Sequence, residues 1–369
     1  MRKIKAALVG AGGWGSTHIS NWLRLAREGV VEFAGVSDIN PKNLEAPELA
    51  GIPHFTSDSE MYDAVHPDAV SIAAGIPVHL ALLRNALAHG VSVLLEKPAA
   101  ATGDEVEAMI FESQLHPANF ALIAFQYLYA PETHRLKELT VSGKYGHLRS
   151  ISVRCAVKRD DVYYARNRWA GKISGHDGKP VFDSPLSNAF AHYLNLALFL
   201  AGPEMPLCAS AESFADVHLI RARREIENFD SCFFRARTRE NIPIDVFMTH
   251  TVEKPEWPNL RIRLEKAEIV WSPSDWVLLG ADGATVLERA AYEEDPQYHM
   301  FRTAAALAAG EPGPSAGVCT IQTALEHTRC VEQIQKYPIR VLAEGEYVRR
   351  EDGGGFYTVP GLEKILGMA

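Results

Sequence analysis

Apolar residues recur in two different rhythms along the chain. In the first third, short unbroken apolar runs alternate with stretches of three-and-four spacing. Ile4 to Val9 is one such run and predicts a buried parallel strand. Glycines follow, then a helix-like stretch from Trp14 to Glu28. Val30 to Val36 predicts a second strand, ending at Ser37-Asp38, and Ala69 to Ala73 repeats the pattern. Pro77 to His89 reads as a helix, with Leu80, Leu83 and Leu87 on one stripe. Val91 to Leu95 and Ala121 to Phe125 are further strands. This alternation predicts a parallel sheet covered by helices on both faces, the Rossmann arrangement. The rhythm changes near Gln126. From Ser150 onward, alternation such as Ile151-Ser152-Val153-Arg154 predicts antiparallel strands with one solvated face, and more follow between about Leu207 and Val286. An apolar helix, roughly Leu186 to Leu200, interrupts them. Two late helices are expected near Pro296–Ala309 and Val318–Gln335, the second with a stripe of Val318, Ile321, Leu325, Thr328 and Val331. Gly353–Gly355 reads as a local loop. The expected fold is therefore α/β plus α+β. Residues 1–125 form an N-terminal Rossmann domain with a parallel sheet. Residues 126–369 form a C-terminal domain with an open, mostly antiparallel sheet and helices.

A length of 369 residues suits two domains. The net charge of −9 argues against a general nucleic-acid binder, which needs a basic surface. The one dense basic run, Arg221, Arg223 and Arg224, reads as a solvated loop or strand end. Cys155, Cys208, Cys232, Cys319 and Cys330 form no C-x-x-C pair, so they read as buried or free thiols in a reducing compartment. No apolar run approaches the ~20 residues that span a bilayer. Arg2, Lys3 and Lys5 precede an apolar stretch, but that stretch runs straight into a glycine motif and reads as a strand rather than an export signal. A cytoplasmic protein that engages neither membrane nor nucleic acid is expected.

Gly10-Ala11-Gly12-Gly13-Trp14-Gly15 fits G-x-G-x-x-G, and here it follows a strand, opens a helix and precedes an acid at a strand end. Gly10 permits the tight turn, Gly12 lets backbone approach a pyrophosphate, and Gly15 lets helix and strand pack closely. The N–H groups at the helix start favour the anion. Asp38 fits the acceptor for the adenine-ribose hydroxyls and would repel a 2′-phosphate. NAD is therefore favoured over NADP, while Lys42 keeps NADP possible. Glu96-Lys97-Pro98 directly follows the strand Val91 to Leu95, and ligands of open α/β sheets bind beyond the carboxyl ends of the strands. A partly buried lysine there has a depressed pKa and trades protons near neutrality.

These pieces together resemble the Gfo/Idh/MocA oxidoreductases, the family of glucose–fructose oxidoreductase and inositol dehydrogenase. The matching residues are Gly10–Gly15, Asp38, Ile72–His79 with Pro77 and His79, Glu96-Lys97-Pro98, Gln126-Tyr127, Ser142–Gly146 and a helix bearing His192. The resemblance covers nearly the whole chain. It implies cofactor contacts from Gly10, Gly12, Gly13, Trp14, Gly15, Asp38, Ala74, Pro77, His79, Glu96, Lys97 and Gln126. It also implies that Lys97 contacts nicotinamide ribose and substrate and serves as acid/base. It implies no metal, and the spacing of His176, Asp177, Asp183 and His192 matches no strong metal signature.

The family usually carries an Asp followed four residues later by a His. Here Asn188 stands at the Asp position and His192 at the His position, and Asn195 stands where a later Asp is common. On one continuous helix these three share a face. Neutral Asn188 orients His192 without acting as a base, which shifts the acid/base burden to Lys97 or His192. Asp183 is near enough in sequence to supply a charge. Arg166-Asn167-Arg168-Trp169 resembles the family segment that reaches toward cofactor or substrate. An arginine there could fork onto an anion, and Trp169 could cover a sugar face. Tyr127, Arg168, Trp169, Asp183 and His192 are the expected substrate contacts. The implied activity is an NAD(P)-dependent oxidoreductase acting on a hydroxyl or carbonyl of a sugar, polyol or related metabolite. The alternatives are a redox-assisted glycosidase or lyase that retains NAD, and a non-enzymatic regulator that senses dinucleotide. Family members commonly pair through the open sheet of the second domain, which implies a homo-oligomer, a dimer or tetramer.

Overall fold

The computed structural model describes residues 3–313, 317–351 and 354–368. It divides into two units, Met1–Ala130 with Glu294–Leu325 and Pro131–Glu293 with Glu326–Ala369. The first unit thus takes in a late segment of chain, so its membership is not a single cut in the sequence.

The apolar runs of the first unit become the strands of one sheet. The elements are β1 (Ile4–Val9), α1 (Gly15–Arg27), β2 (Val31–Ser37), β3 (His54–Phe55), α2 (Asp58–Val65), β4 (Ala69–Ile72), α3 (His79–Ala88), β5 (Ser92–Leu95), α4 (Gly103–Leu115) and β6 (Ala121–Ile123). The strands lie in the order β3-β2-β1-β4-β5-β6 and all neighbouring pairs are parallel. Strand order reverses between β1 and β4, and in such sheets ligands bind beyond the carboxyl ends of the strands at that switch point. Gly10, Asp38, Ala73 and Glu96 all follow directly on strands at that edge. Pro77 falls in a 3-10 turn, Ile76–Val78, ahead of α3, where its missing N–H costs nothing. The late helix Pro296–Ala308 packs on α1 through Phe301, which stands edge-on to His18 and Trp22 with ring centroids 5.0 and 4.9 Å apart.

The second unit holds α5 (Pro131–Val141), β7 (Leu148–Ala156), α6 (Asp161–Ala165), α7 (Ala191–Ala201), β8 (Ala211–Arg221), β9 (Ser231–Thr238), β10 (Pro243–Thr249), β11 (Glu256–Leu264), β12 (Ala267–Trp271), β13 (Asp275–Gly280), β14 (Val286–Ala291) and β15 (Ile339–Val341). Its sheet runs β14-β13-β12-β11-β7-β10-β9-β8-β15. Only β10 with β7 and β15 with β8 are parallel. The alternation read in β7 is real: Ile151, Val153 and Cys155 are buried on one face, and the flanking residues point to the other. On that second face a C-terminal segment covers Ile220, Phe233 and Phe247 with Leu342, Tyr357, Val359, Leu362 and Leu366. The rest of the face carries Arg235, Asp245, Arg261, Arg263 and Glu268, joined by ion pairs.

Two expectations need correction here. The helix read over 186–200 is not continuous: a π-turn spans Pro185–Ala189, Phe190 breaks the phase at φ −118°, and α7 begins at Ala191. Asn188 therefore does not share an α-helical face with His192 and Asn195. Ser184 explains the local geometry, because its hydroxyl accepts from Ser187 N–H while the Ser187 hydroxyl accepts from Ser184 N–H, a reciprocal cap. Arg223 is not solvated either. It is buried and pairs with Asp161 at 2.5 Å, whereas Arg221 ends β8 and Arg224 lies exposed, as read. Of the glycine run, Gly353 lies outside the described residues, and Gly354 and Gly355 both have positive φ. All five cysteines are free thiols. Among the described residues, no helix is long and apolar enough to cross a membrane.

Candidate active site

The glycine loop after β1 is built by close approach. A Cβ on Gly10, whose φ is +91°, would sit 2.6 Å from Ala73 O, and one on Gly15 would sit 2.1 Å from Gly10 O. Those clearances let α1 begin directly over the end of β1. The Asp38 carboxylate lies beneath the loop and is nearly buried. Its Oδ2 accepts from Ala11 N (2.8 Å), Gly12 N (3.2 Å) and Asn43 Nδ2 (3.1 Å), and its Oδ1 accepts from Asn40 N (2.8 Å). Among the described residues, the N–H groups of Gly13 and Trp14 have no acceptor, and the first turn of α1 carries no acid. Two free donors at a helix start, beside a glycine whose Cβ would fill the cradle 2.5 Å from Asn43 Nδ2, fit a dinucleotide pyrophosphate. Trp14 stands exposed beside them, as does Lys42 beyond Asp38.

At the end of β5 the Glu96 side chain points inward. Its Oε1 lies 3.0 Å from His18 Nε2 in α1, and its Oε2 accepts from Lys97 N at 3.0 Å. Burial pushes the Glu96 carboxyl up, but the His18 hydrogen bond and charge, with Lys97, outweigh it and hold the group below its ordinary value. His79, also buried, has Nδ1 3.0 Å from Ala99 O and Nε2 3.0 Å from Ala74 O. Burial lowers its pKa against the pull of those carbonyls and of Glu96. The ring therefore ties the loop after β4 to the segment after Glu-Lys-Pro. Lys97 is half-buried, as are Ala74, Pro77 and Gln126, and Tyr127 is buried in the 3-10 turn Gln126–Tyr129.

In the second unit, Asp183 is the organising group. It is buried and accepts from Arg166 at 3.1 Å on each oxygen, from Gly171 N at 2.6 Å and from Asn188 Nδ2 at 2.7 Å. The charge expected of Asp183 is thus taken up locally by Arg166. Arg166 also stacks on Tyr163, with its guanidinium 3.8 Å from the ring centroid. Arg168 is exposed, and Trp169 and His192 are half-buried. Asn195 is fully buried in α7, with no hydrogen-bond partner for its amide among the described residues. The Tyr164 hydroxyl meets His250 Nδ1 at 2.8 Å. His250 is held well below its ordinary pKa by burial and by Arg159, Arg166 and Arg223. Among the described residues, no group of three His, Cys, Asp or Glu is arranged to hold a metal ion.

Residues 4–115 match the Gfo/Idh/MocA family model, described as oxidoreductase family, NAD-binding Rossmann fold. That match lies within the first unit, whose sequence is thus similar to the NAD-binding domain of this family. YteT of Bacillus subtilis (strain 168) is 28% identical over 168 residues, which cover 41% of this chain and 38% of that protein. The inositol 2-dehydrogenase of Burkholderia multivorans is 26% identical over 166 residues, 43% of this chain and 47% of that one. The matched region thus spans less than half the length of these curated relatives. Among solved structures, the WlbA dehydrogenase from Bordetella pertussis, in complex with NADH and UDP-GlcNAcA, superposes with a TM-score of 0.71 at 22% identity, over 91% of this chain and 96% of that one. The likeness in fold therefore extends through the second unit, whereas the match to the NAD-binding family model is confined to residues 4–115. The sequence reading passed over His18 and Asn43. His18 had left a trace, because it lies on the buried stripe of α1 with Trp22 and Leu25. A histidine on that stripe needs a buried partner.

Proposed function

We propose that this chain is an NAD(P)-dependent oxidoreductase acting on a CH–OH group of a sugar, polyol or related metabolite. On this reading residues 1–125 hold the cofactor, residues 126–369 meet the substrate, and the protein works in the cytoplasm as a dimer or tetramer. The observation that carries the reading is the shared sheet edge: Lys97 follows β5 at the same carboxyl edge at which the glycine loop follows β1 and Asp38 follows β2. NAD, when bound, supplies the acceptor for the substrate's hydride. The chain's own residues do the rest. The free N–H groups of Gly13 and Trp14 take an anion, and Asp38 faces the ribose hydroxyls. Ala74, Pro77, His79 and Gln126 shape the remaining wall, and Glu96 acts from below. Lys97 or His192 takes the hydroxyl proton. Tyr127, Arg168 and Trp169 bind substrate, and Asp183 serves by holding Arg166 and Asn188 in place.

The test is Lys97→Met, which keeps the stem and removes charge and proton. NAD affinity by calorimetry should weaken only modestly, because pyrophosphate and adenosine contacts lie elsewhere. Turnover on the sugar, inositol or sugar acid found by screening with NAD should fall ~10²–10⁴-fold. A folded, NAD-binding variant with near wild-type turnover removes Lys97 from the chemistry and leaves His192 as the proton acceptor. Sugar release without net change in NADH absorbance would move the reading to a redox-assisted hydrolase.

A further inference from the structure

We propose that His18 and Glu96 form a buried positioning pair that fixes Lys97 and sets the charge it feels. The inference rests on the reading that Lys97 serves the chemistry. Lys97 is the second residue past β5, where the backbone leaves the ladder and loses its strand partners. Its main chain is held by a side chain instead: Lys97 N–H donates to Glu96 Oε2 at 3.0 Å. A carboxylate is a poor anchor unless its other oxygen is also held, and Oε1 lies 3.0 Å from His18 Nε2. His18 is wholly buried, and Phe301 stands edge-on to its ring. Its Nδ1 has no hydrogen-bond partner among the described residues. Glu96 is held as a carboxylate, with His18 Nε2 facing one of its oxygens. That sets a negative charge next to Lys97, and the two groups attract each other. The other titratable groups that sense Glu96 are His79 and Tyr129. Burial drives both toward their neutral forms.

The consequence reaches beyond local packing. His18 sits on the second turn of α1, the helix that opens at the glycine loop, and Glu96 sits at the end of β5. The pair links the glycine loop's helix to the segment bearing Lys97, between residues 78 positions apart in sequence. A rigid first link is what a proton-transferring lysine needs, because small misplacements of a reacting group cost rate steeply. The charge has a second effect. A carboxylate next to Lys97 favours the ammonium form and opposes the desolvation that lowers a buried lysine's pKa.

The deciding measurement uses the protein without cofactor. Trace acetylation with acetic anhydride at one mildly alkaline pH reports the free-amine fraction of Lys97, read by mass spectrometry against an exposed lysine such as Lys266. Glu96→Gln is nearly isosteric, keeps an oxygen for Lys97 N–H, removes the charge, and turns an amide N–H toward His18 Nε2 in place of an acceptor. Lys97 should then label about threefold to tenfold faster, the change in free amine when its pKa falls by up to one unit. Hydrogen exchange of the peptide carrying the Lys97 amide should rise about tenfold or more in His18→Leu, with the β6 peptide unchanged as the control for global unfolding. On the screened substrate, His18→Leu should lower kcat by about tenfold while KM stays within about threefold. A folded Glu96→Gln protein with wild-type labelling, or a folded His18→Leu protein with wild-type exchange and kcat, overturns the proposal. Were His18→Leu not to fold, the Glu96→Gln labelling decides alone. Were the wild-type chain to turn over nothing on any substrate, the enzyme reading would fail, and labelling and exchange would still judge the pair.

Discussion

At the scale of single residues, Asp38 shows one carboxylate doing two jobs. On the proposed function, its place at the end of β2 gives it the first, as acceptor for ribose hydroxyls and repeller of a 2′-phosphate. Its hydrogen bonds add a second task, since it gathers the N–H groups of Ala11 and Gly12 and the amide of Asn43, and so holds the glycine loop in shape. Asp38→Ala removes both. Affinity for NAD should fall by about tenfold or more, because a ribose contact and the loop's brace go together. Affinity for NADP loses the brace but gains relief from charge repulsion, so the ratio between the two dinucleotides should narrow. Calorimetry with each dinucleotide measures this directly, and an unchanged ratio would show that Asp38 only shapes the loop. Asn43→Ala is the useful companion: it leaves the charge in place, so it should weaken both dinucleotides alike.

At the scale of elements, the regular parts were legible in the sequence and the irregular ones were not. Unbroken apolar runs and three-and-four stripes reflect burial of whole strands and helices, so β1 was read end to end and α1, β2, β4 and β5 to within a residue or two. The two-residue strand β3 is too short to carry a period. The π-turn at 185–189 was missed for a different reason. Its apolar residues fit an α-helix as well, and what selects the wider turn is the Ser184–Ser187 cap and the bond from Asn188 to Asp183. Pairs such as His18 with Glu96 join residues too distant in sequence for any periodicity to reveal. Asn188 now has a sharper meaning than orienting His192. Asn188→Asp would set a second carboxylate about where the amide now lies 2.7 Å from Asp183 Oδ1. A buried acid and a half-buried one would then compete for one Arg166, and one pKa must rise. A carboxyl whose folded pKa is raised loses stability as pH climbs through the gap between its unfolded and folded values. The variant should therefore be less stable than wild type at neutral pH by about 1–3 kcal/mol, with the difference shrinking as pH falls. Thermal unfolding across pH checks this. A difference independent of pH would mean that only the hydrogen bond was lost.

For the whole molecule, stability against pH is a contest between ionisable groups that pull in opposite directions, and the second unit holds both kinds. His250 is kept neutral by burial and three arginines, so acid favours the unfolded chain below the ordinary histidine range. Asp161, held low by Arg349 and Arg223, adds stability that is lost only in stronger acid, as pH falls through its depressed value. Asp230 pulls the other way. It is buried, its Oδ2 accepts from Ala222 N at 2.9 Å and Arg223 N at 2.8 Å, and burial outweighs these bonds to push its pKa up from 3.8 to about 6. Between those two values the folded chain keeps a proton that the unfolded chain has lost, so stability drains away as pH rises. The displacement corresponds to about 3 kcal/mol at pH above 6. Asp230→Asn keeps an oxygen for both backbone N–H groups and cannot ionise, so it removes this drain and nothing else in the contest. Because His250 and Asp161 act equally in both proteins, the difference in unfolding free energy isolates Asp230. That difference, variant minus wild type, should grow by about 3 kcal/mol between pH 4 and 6 and then level off. Urea unfolding followed at several pH values measures it. A flat difference would mean that Asp230 stays ionised through the range, with the paired N–H donors and Arg223 outweighing its burial.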